Sequence, residues 1–194
     1  MDDIEPPEFN VFVEWLYTQK LPADGKSWNT IANQSKSDLL GMLRLKLYVL
    51  ADRLIVPSLH RLLNRAIVNV SRIYYVSPPP YENIIYAFQH LPPSDSILDY
   101  FIDIFYMGWD SDIHDRSGED NFSDLPQDFL LRLLTKMGKE RKRSKYRQQS
   151  LYKLDVCSYH AHASDEERAS CPNKAYDAEG KMWMKRESEK EDAA

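Results

Sequence analysis

From Pro57 onward, Leu59, Leu62, Leu63, Ala66, Ile67 and Val70 recur at helical spacing, with the proline at the first helical position. A chain written in such units buries stripes of apolar side chains by packing helix against helix. The same punctuation recurs along the sequence. Pro6-Pro7 opens a run in which Phe9, Phe12, Val13 and Leu16 fall at i, i+3, i+4 and i+7. Leu40, Leu43, Leu47, Leu50 and Leu54 make one stripe, while Met42, Leu45 and Val49 make another, so that helix is expected at the centre, entered through Ser35 or Ser37. Pro78-Pro79-Pro80 stops the chain, and Tyr81, Ile84, Ile85 and Phe88 carry a further helix to Pro92-Pro93. Ser94-Asp95-Ser96 reads as a cap before the apolar stretch from Ile97 to Trp109. Asp124 and Gln127 resemble a capping box, with Pro126 in the first turn of a helix using Phe129, Leu130, Leu133, Leu134 and Met137.

Between these runs, residues 18–37 read as a long loop, with a short extended piece at Lys20-Leu21, and residues 110–124 as an acidic loop. After Cys171 the chain is charged and poor in apolar residues, which predicts disorder over 172–194. The expected organisation is residues 1–75, then a helical extension over 76–150, then a Cys/His-containing, largely flexible tail over 151–194.

Two segments resemble parts of a fungal-type BTB/POZ domain. Phe9-Asn-Val-Phe12-Val-Glu-Trp15-Leu16-Tyr17-Thr-Gln-Lys-Leu-Pro is similar to that family's "Phe-x-x-Phe-x-x-Trp-Leu-Tyr-Thr" helix running into a short strand. Leu47, Tyr48, Leu50, Ala51, Asp52, Leu54, Pro57 and Leu59 match "Leu-Tyr-x-Leu-Ala-Asp-x-Leu-x-x-Pro-x-Leu" in register. The stretches from Asn83 and from Asp124 resemble the helical tail of fungal relatives. The resemblance implies a mainly α chain, a truncated BTB/POZ domain (an α+β family) with a helical C-terminal extension. It also implies a non-catalytic protein-interaction module, an adaptor for a ubiquitin ligase or a transcriptional complex whose protein partner is unspecified. In that family a strand-rich half before the first matching helix carries the homodimer surface. Nothing of that half precedes Phe9, so the chain is expected to dimerise poorly.

The residues themselves carry little chemistry of catalysis. There is no Gly-x-Ser-x-Gly, no His-Glu-x-x-His and no convincing acid/base pair. Gly25-Lys26-Ser27 lacks the earlier glycine of a phosphate loop, because Lys20 stands there. Asp110, Asp112, His114 and Asp115 lack the tight-turn glycine of a calcium loop. Trp15, Tyr17, Tyr48 and Tyr74 read as core aromatics.

One constellation stands out: Cys157-Ser-Tyr-His160-Ala-His162, followed by Cys171, which gathers both cysteines and two of the five histidines of the chain. Zinc takes four thiolate or imidazole ligands in a tetrahedron, and Cys-x-x-His is an ordinary way to hold it. His160 and His162 cannot share a helix face, so a turn or extended backbone is required there, and Ser164-Asp-Glu-Glu could cap a short helix that brings Cys171 back. A flexible tail with free thiols would carry the same residues, and no cofactor other than this zinc is implied.

Lys139, Arg141, Lys142, Arg143, Lys145 and Arg147 form a local basic patch, either an import signal or phosphate strip or simply the solvated end of a helix. Together with a zinc-clasped tail it supports an alternative reading, a nuclear or nucleic-acid-associated protein. The net charge of -5 argues against nucleic acid as a general partner. No apolar run is long enough to span a bilayer, and the acidic first residues, Met1 to Glu8, lack a secretory h-region. The expectation is an intracellular protein, cytoplasmic or nuclear, with reduced thiols.

Overall fold

The helical periods close into helices throughout the computed structural model, which describes residues 4–33, 40–70, 78–108, 123–143 and 155–171. The helices in chain order are α1 (Pro6–Thr18), α2 (Gly25–Ala32), α3 (Leu40–Arg53), α4 (Pro57–Val70), α5 (Tyr81–His90), α6 (Ser96–Gly108), α7 (Gln127–Arg143) and the short α8 (Asp165–Ala169). A 3₁₀ turn, Val156–Tyr159, precedes α8. The protein is mainly helical, and no strand occurs among the described residues. Ser35, Ser37, Tyr74, residues 110–122 and residues 172–194 lie outside them.

Two helices form the centre. Leu43, Leu45, Leu47, Tyr48, Val49, Leu50 and Ala51 of α3 are all buried, as its double stripe predicts, and α3 packs against α1, α2, α4 and α5. Seven residues of α6, from Ile97 to Phe105, are buried beneath α4, α5, α7 and the 3₁₀ turn. Phe129 of α7 fills the space beside Phe105 and Phe88, meeting both rings edge to face. Asp95 caps α6 by accepting the Ile97 N–H at 2.8 Å, the role its sequence position predicts.

The α3–α4 hairpin turns on an unusual residue. Val56 N–H bonds to the Ala51 carbonyl and Ile55 N–H to that of Asp52, the paired bonds of a Schellman cap. The position that favours glycine is held by Ile55, left-handed at φ 54°.

Several expectations change. The stretch 18–37 is not all loop, because α2 forms in it. Asp24 accepts the Ser27 N–H at 2.8 Å, and Trp28, Ile31 and Ala32 supply an apolar i, i+3, i+4 face, with Arg44 stacked 5.1 Å from the Trp28 ring. Asn33, at φ 55°, closes the helix rather than forming a loop. No strand forms at Lys20-Leu21. Helix α7 begins at Gln127, so Pro126 precedes it and Asp124 sits in a turn ahead of the cap position; the capping box does not form.

In α1 the inward side is Glu8, Val11 and Trp15, not the Phe9/Phe12/Val13/Leu16 stripe. Lys46 of α3 reaches Glu5 at 2.7 Å and Glu8 at 3.3 Å, which holds that side against α3. Tyr17, at the helix end, is 86% exposed and is not a core aromatic.

Candidate functional site

The segment from Asp155 to Cys171 is attached to the helical core by buried polar groups as well as by the buried side chains of Val156 and Tyr159. Asn64 of α4 is fully buried. Its Nδ2 donates to the Tyr159 carbonyl at 3.1 Å, and its Oδ1 accepts the Ala161 N–H at 2.8 Å. Ser96, at the start of α6, donates to the same carbonyl at 2.8 Å. The Tyr159 ring lies edge to face on Tyr100, and its hydroxyl donates to Asp103, which Lys136 of α7 pairs at 2.6 Å. Burial and the neighbouring Asp103 carboxylate push the Tyr159 phenol well above its ordinary range, so it stays a proton donor. Arg65 of α4 pairs with Glu167 of α8.

Local capping then brings the sulfur and imidazole groups together. Asp155 accepts the Cys157 N–H at 3.2 Å and starts the 3₁₀ turn. The backbone at His160 is extended, so His160 and His162 avoid the conflict a helix would impose. Ser164 accepts the Glu167 N–H at 3.2 Å and opens α8, which returns the chain to Cys171.

The result is a cluster of Cys157, His160, His162 and Cys171 whose ligand atoms all lie within 4.8 Å of one another. Cys157 Sγ is 3.3 Å from His162 Nε2, and Cys171 Sγ is 3.5 Å from His160 Nδ1. A tetrahedral zinc, with Zn–S of ~2.3 Å and Zn–N of ~2.0 Å, sets sulfur and nitrogen roughly 3.5 Å apart. Cys157 and His160 are buried; His162 and Cys171 are half-buried. His160 Nε2, on the far side of the ring, lies 3.2 Å from Asn69 Oδ1 of α4. Both cysteines are free thiols. Burial, and then the adjacent Cys171 sulfur, push the Cys157 thiol up to about 11. Two neighbouring thiols resist ionising together unless a cation lies between them, which is the condition a metal ion reverses.

The basic patch is only partly described. Lys139 is exposed on α7, which continues through Arg141 and Lys142 to its end at Arg143, whereas Lys145 and Arg147 lie outside the described residues. The two asparagines of α4, Asn64 and Asn69, escape sequence reasoning because their partners are some ninety residues away. Their only signal is a polar residue at the edge of an otherwise apolar stripe.

A second feature is the outer face of α1. Phe9 is 53% and Leu16 is 49% exposed, with Phe12 and Val13 partly buried between them. Leu131, Leu134 and Met137 form a second outward stripe on α7. The residues of the Leu47–Leu59 motif go inward instead: Leu47, Tyr48, Leu50, Ala51 and Leu59 are buried, Leu54 is half-buried, and Asp52 and Pro57 are exposed at the hairpin. No helix among the described residues is long and apolar enough to cross a membrane. Comparison with protein-family models, curated proteins and solved structures returns no match.

Proposed function

We propose that this chain is a non-catalytic protein-interaction module of the BTB/POZ type, acting as an adaptor for a ubiquitin ligase or a transcriptional complex. The observation that carries the reading is the exposure of Phe9 and Leu16 on the outer side of α1, with Phe12 and Val13 half-buried beside them. Leaving such side chains in water forgoes roughly 1.5–3 kcal/mol of burial for each one that a partner could cover, and contiguous apolar surface of this kind marks association sites. In the BTB arrangement the corresponding helix is covered by a strand-and-helix half, so the surface sought on the partner is an apolar one of comparable length. The absence of nucleophile and metalloprotease motifs from the sequence is in keeping with a binding role.

The test is affinity purification of the full tagged chain with mass spectrometry, run beside a Phe9→Lys/Leu16→Lys variant. Both substitutions fall on exposed positions, so the fold should survive, as circular dichroism would verify. Cullin or transcription-factor subunits recovered with the wild type and lost with the variant would support the reading. Equal recovery by both, or recovery of nucleic acid alone, would overturn it. Light scattering gives a second check: a clean two-fold dimer that binds no hydrophobic dye would mean that this face is already covered by a second copy.

A further inference from the structure

We infer that Cys157, His160, His162 and Cys171 hold one structural zinc ion, and that this ion fixes the shape in which residues 155–171 dock on α4 and α6. The inference is independent of the BTB-type reading, since none of its residues lies on α1.

The donor set selects the metal. Two thiols and two imidazoles, with no carboxylate among them, suit zinc rather than magnesium or calcium, which take oxygen ligands. Binding places two thiolates and two neutral imidazoles on one dication and releases two thiol protons to solvent, so the filled site has no net charge and tolerates its half-buried position. All four positions come from the protein, which is the pattern of a structural ion; a catalytic zinc keeps one position open for water or substrate. The two sulfur–nitrogen approaches, 3.3 Å and 3.5 Å, already match tetrahedral edges. The remaining separations, up to 4.8 Å, need only small side-chain rotations to close on an ion.

The surrounding groups fit the same assignment. With His160 Nδ1 turned to the Cys171 sulfur, Nε2 carries the proton and donates it to Asn69 Oδ1 at 3.2 Å. A metal-bound histidine commonly gives its other N–H to a carbonyl or carboxylate, which fixes both tautomer and ring orientation. Asn69 is therefore a positioning residue, and it sits on α4, outside the segment that supplies the ligands. His162 presents Nε2 to Cys157, and its buried Nδ1 has no partner among the described residues. The start of the segment is held to the core by Val156, Tyr159 and the Asn64 amide bridge, whereas beyond Ala161 the ion pair of Arg65 with Glu167 ties the five-residue α8 to α4. A metal held between Cys157 and Cys171 closes the loop between them and couples its binding free energy to the order of this stretch.

The test uses the full chain purified without chelator. Elemental analysis should find about one zinc per chain, and cobalt substitution should give the visible bands of a tetrahedral thiolate–imidazole site. Cys171→Ser should lose the metal and expose the stretch around residues 155–171 to protease, with the helical circular dichroism of α1 to α7 retained. If that variant fails to fold, chelation of the wild-type chain gives the same reading, with zinc release accompanied by faster amide exchange in 155–171. Asn69→Ala should weaken zinc binding by about 10–100-fold, and Asn69→Asp, which keeps the acceptor, should recover most of it. Absence of metal, a Cys157–Cys171 disulfide in protein kept under reducing conditions, or zinc that persists in Cys171→Ser would overturn the site. Zinc that leaves without loosening 155–171 would overturn its role in fixing that shape.

Discussion

Asn64 serves Ala161 as a neighbouring β-strand would: its carbonyl accepts the Ala161 N–H while its amide donates to the Tyr159 carbonyl two residues earlier. A side chain buried in a helix thus satisfies two backbone groups of a segment remote in sequence. Asn64→Ala leaves the Ala161 N–H without its acceptor, and a buried unsatisfied group costs about 1–3 kcal/mol. Urea unfolding should show that loss, and hydrogen exchange should show Ala161 losing protection. An Ala161 amide that stays protected in the variant would remove Asn64 from this role.

Leu47 of α3 and Leu63 of α4 are both fully buried. Truncating either to alanine should cost about 2–5 kcal/mol, from lost burial and the cavity left behind. Leu131, at 55% exposure, is the control, and Leu131→Ala should change stability by no more than about 0.5 kcal/mol. Comparable losses at all three positions would contradict this placement of the core.

Ile55 stands left-handed at φ 54° with 85% of its surface exposed, so its side chain adds strain and little packing. A β-branched residue there costs roughly 1–2 kcal/mol, part of which glycine returns as unfolded-state entropy. Ile55→Gly should raise stability by about 0.5–1 kcal/mol, read as a higher urea midpoint at unchanged slope. A lower midpoint would mean that the side chain packs on something that compensates the strain.

His60 stacks on Tyr48 with ring centroids 4.0 Å apart, and its buried Nε2 has no partner among the described residues. Burial holds its pKa below the ordinary 6.5 and outweighs the opposing Asp95 and Asp52 carboxylates, while Arg61 lowers it further. The unfolded chain therefore takes up a proton that the folded chain refuses, and this group costs stability as pH falls below 6.5. His60→Phe keeps a ring on Tyr48 and removes the proton. Thermal melts across the mildly acidic range should show the variant gaining on the wild type as pH falls; parallel curves would show that His60 does not titrate differently on folding.

The helices were legible because each is a local statement. The Leu59–Val70 period, the paired stripes of α3 and the cap at Asp95 depend on residues within a turn or two, and all appear where the spacing puts them. The α2 helix was hidden by its own composition: Gly25, Asn29 and Asn33 read as loop residues until the Asp24 cap and the buried face of Trp28 outweigh them.

The Cys/His cluster divides in the same way. Its four residues and the returning helix could be named from spacing, since Ser164 caps α8 locally. The direction in which α1 faces could not, because both of its sides are apolar. Lys46 and the surface of α3 select Val11 and Trp15 for the core and leave Phe9 and Leu16 outside. Nor could spacing assign Asn64 and Asn69 to a segment about ninety residues away. Local sequence determined which helices form and which side chains could bind a metal. Only the packing of α4 against α6 decided that the cluster is built on the core, because a polar group's partner is set by what folding brings beside it.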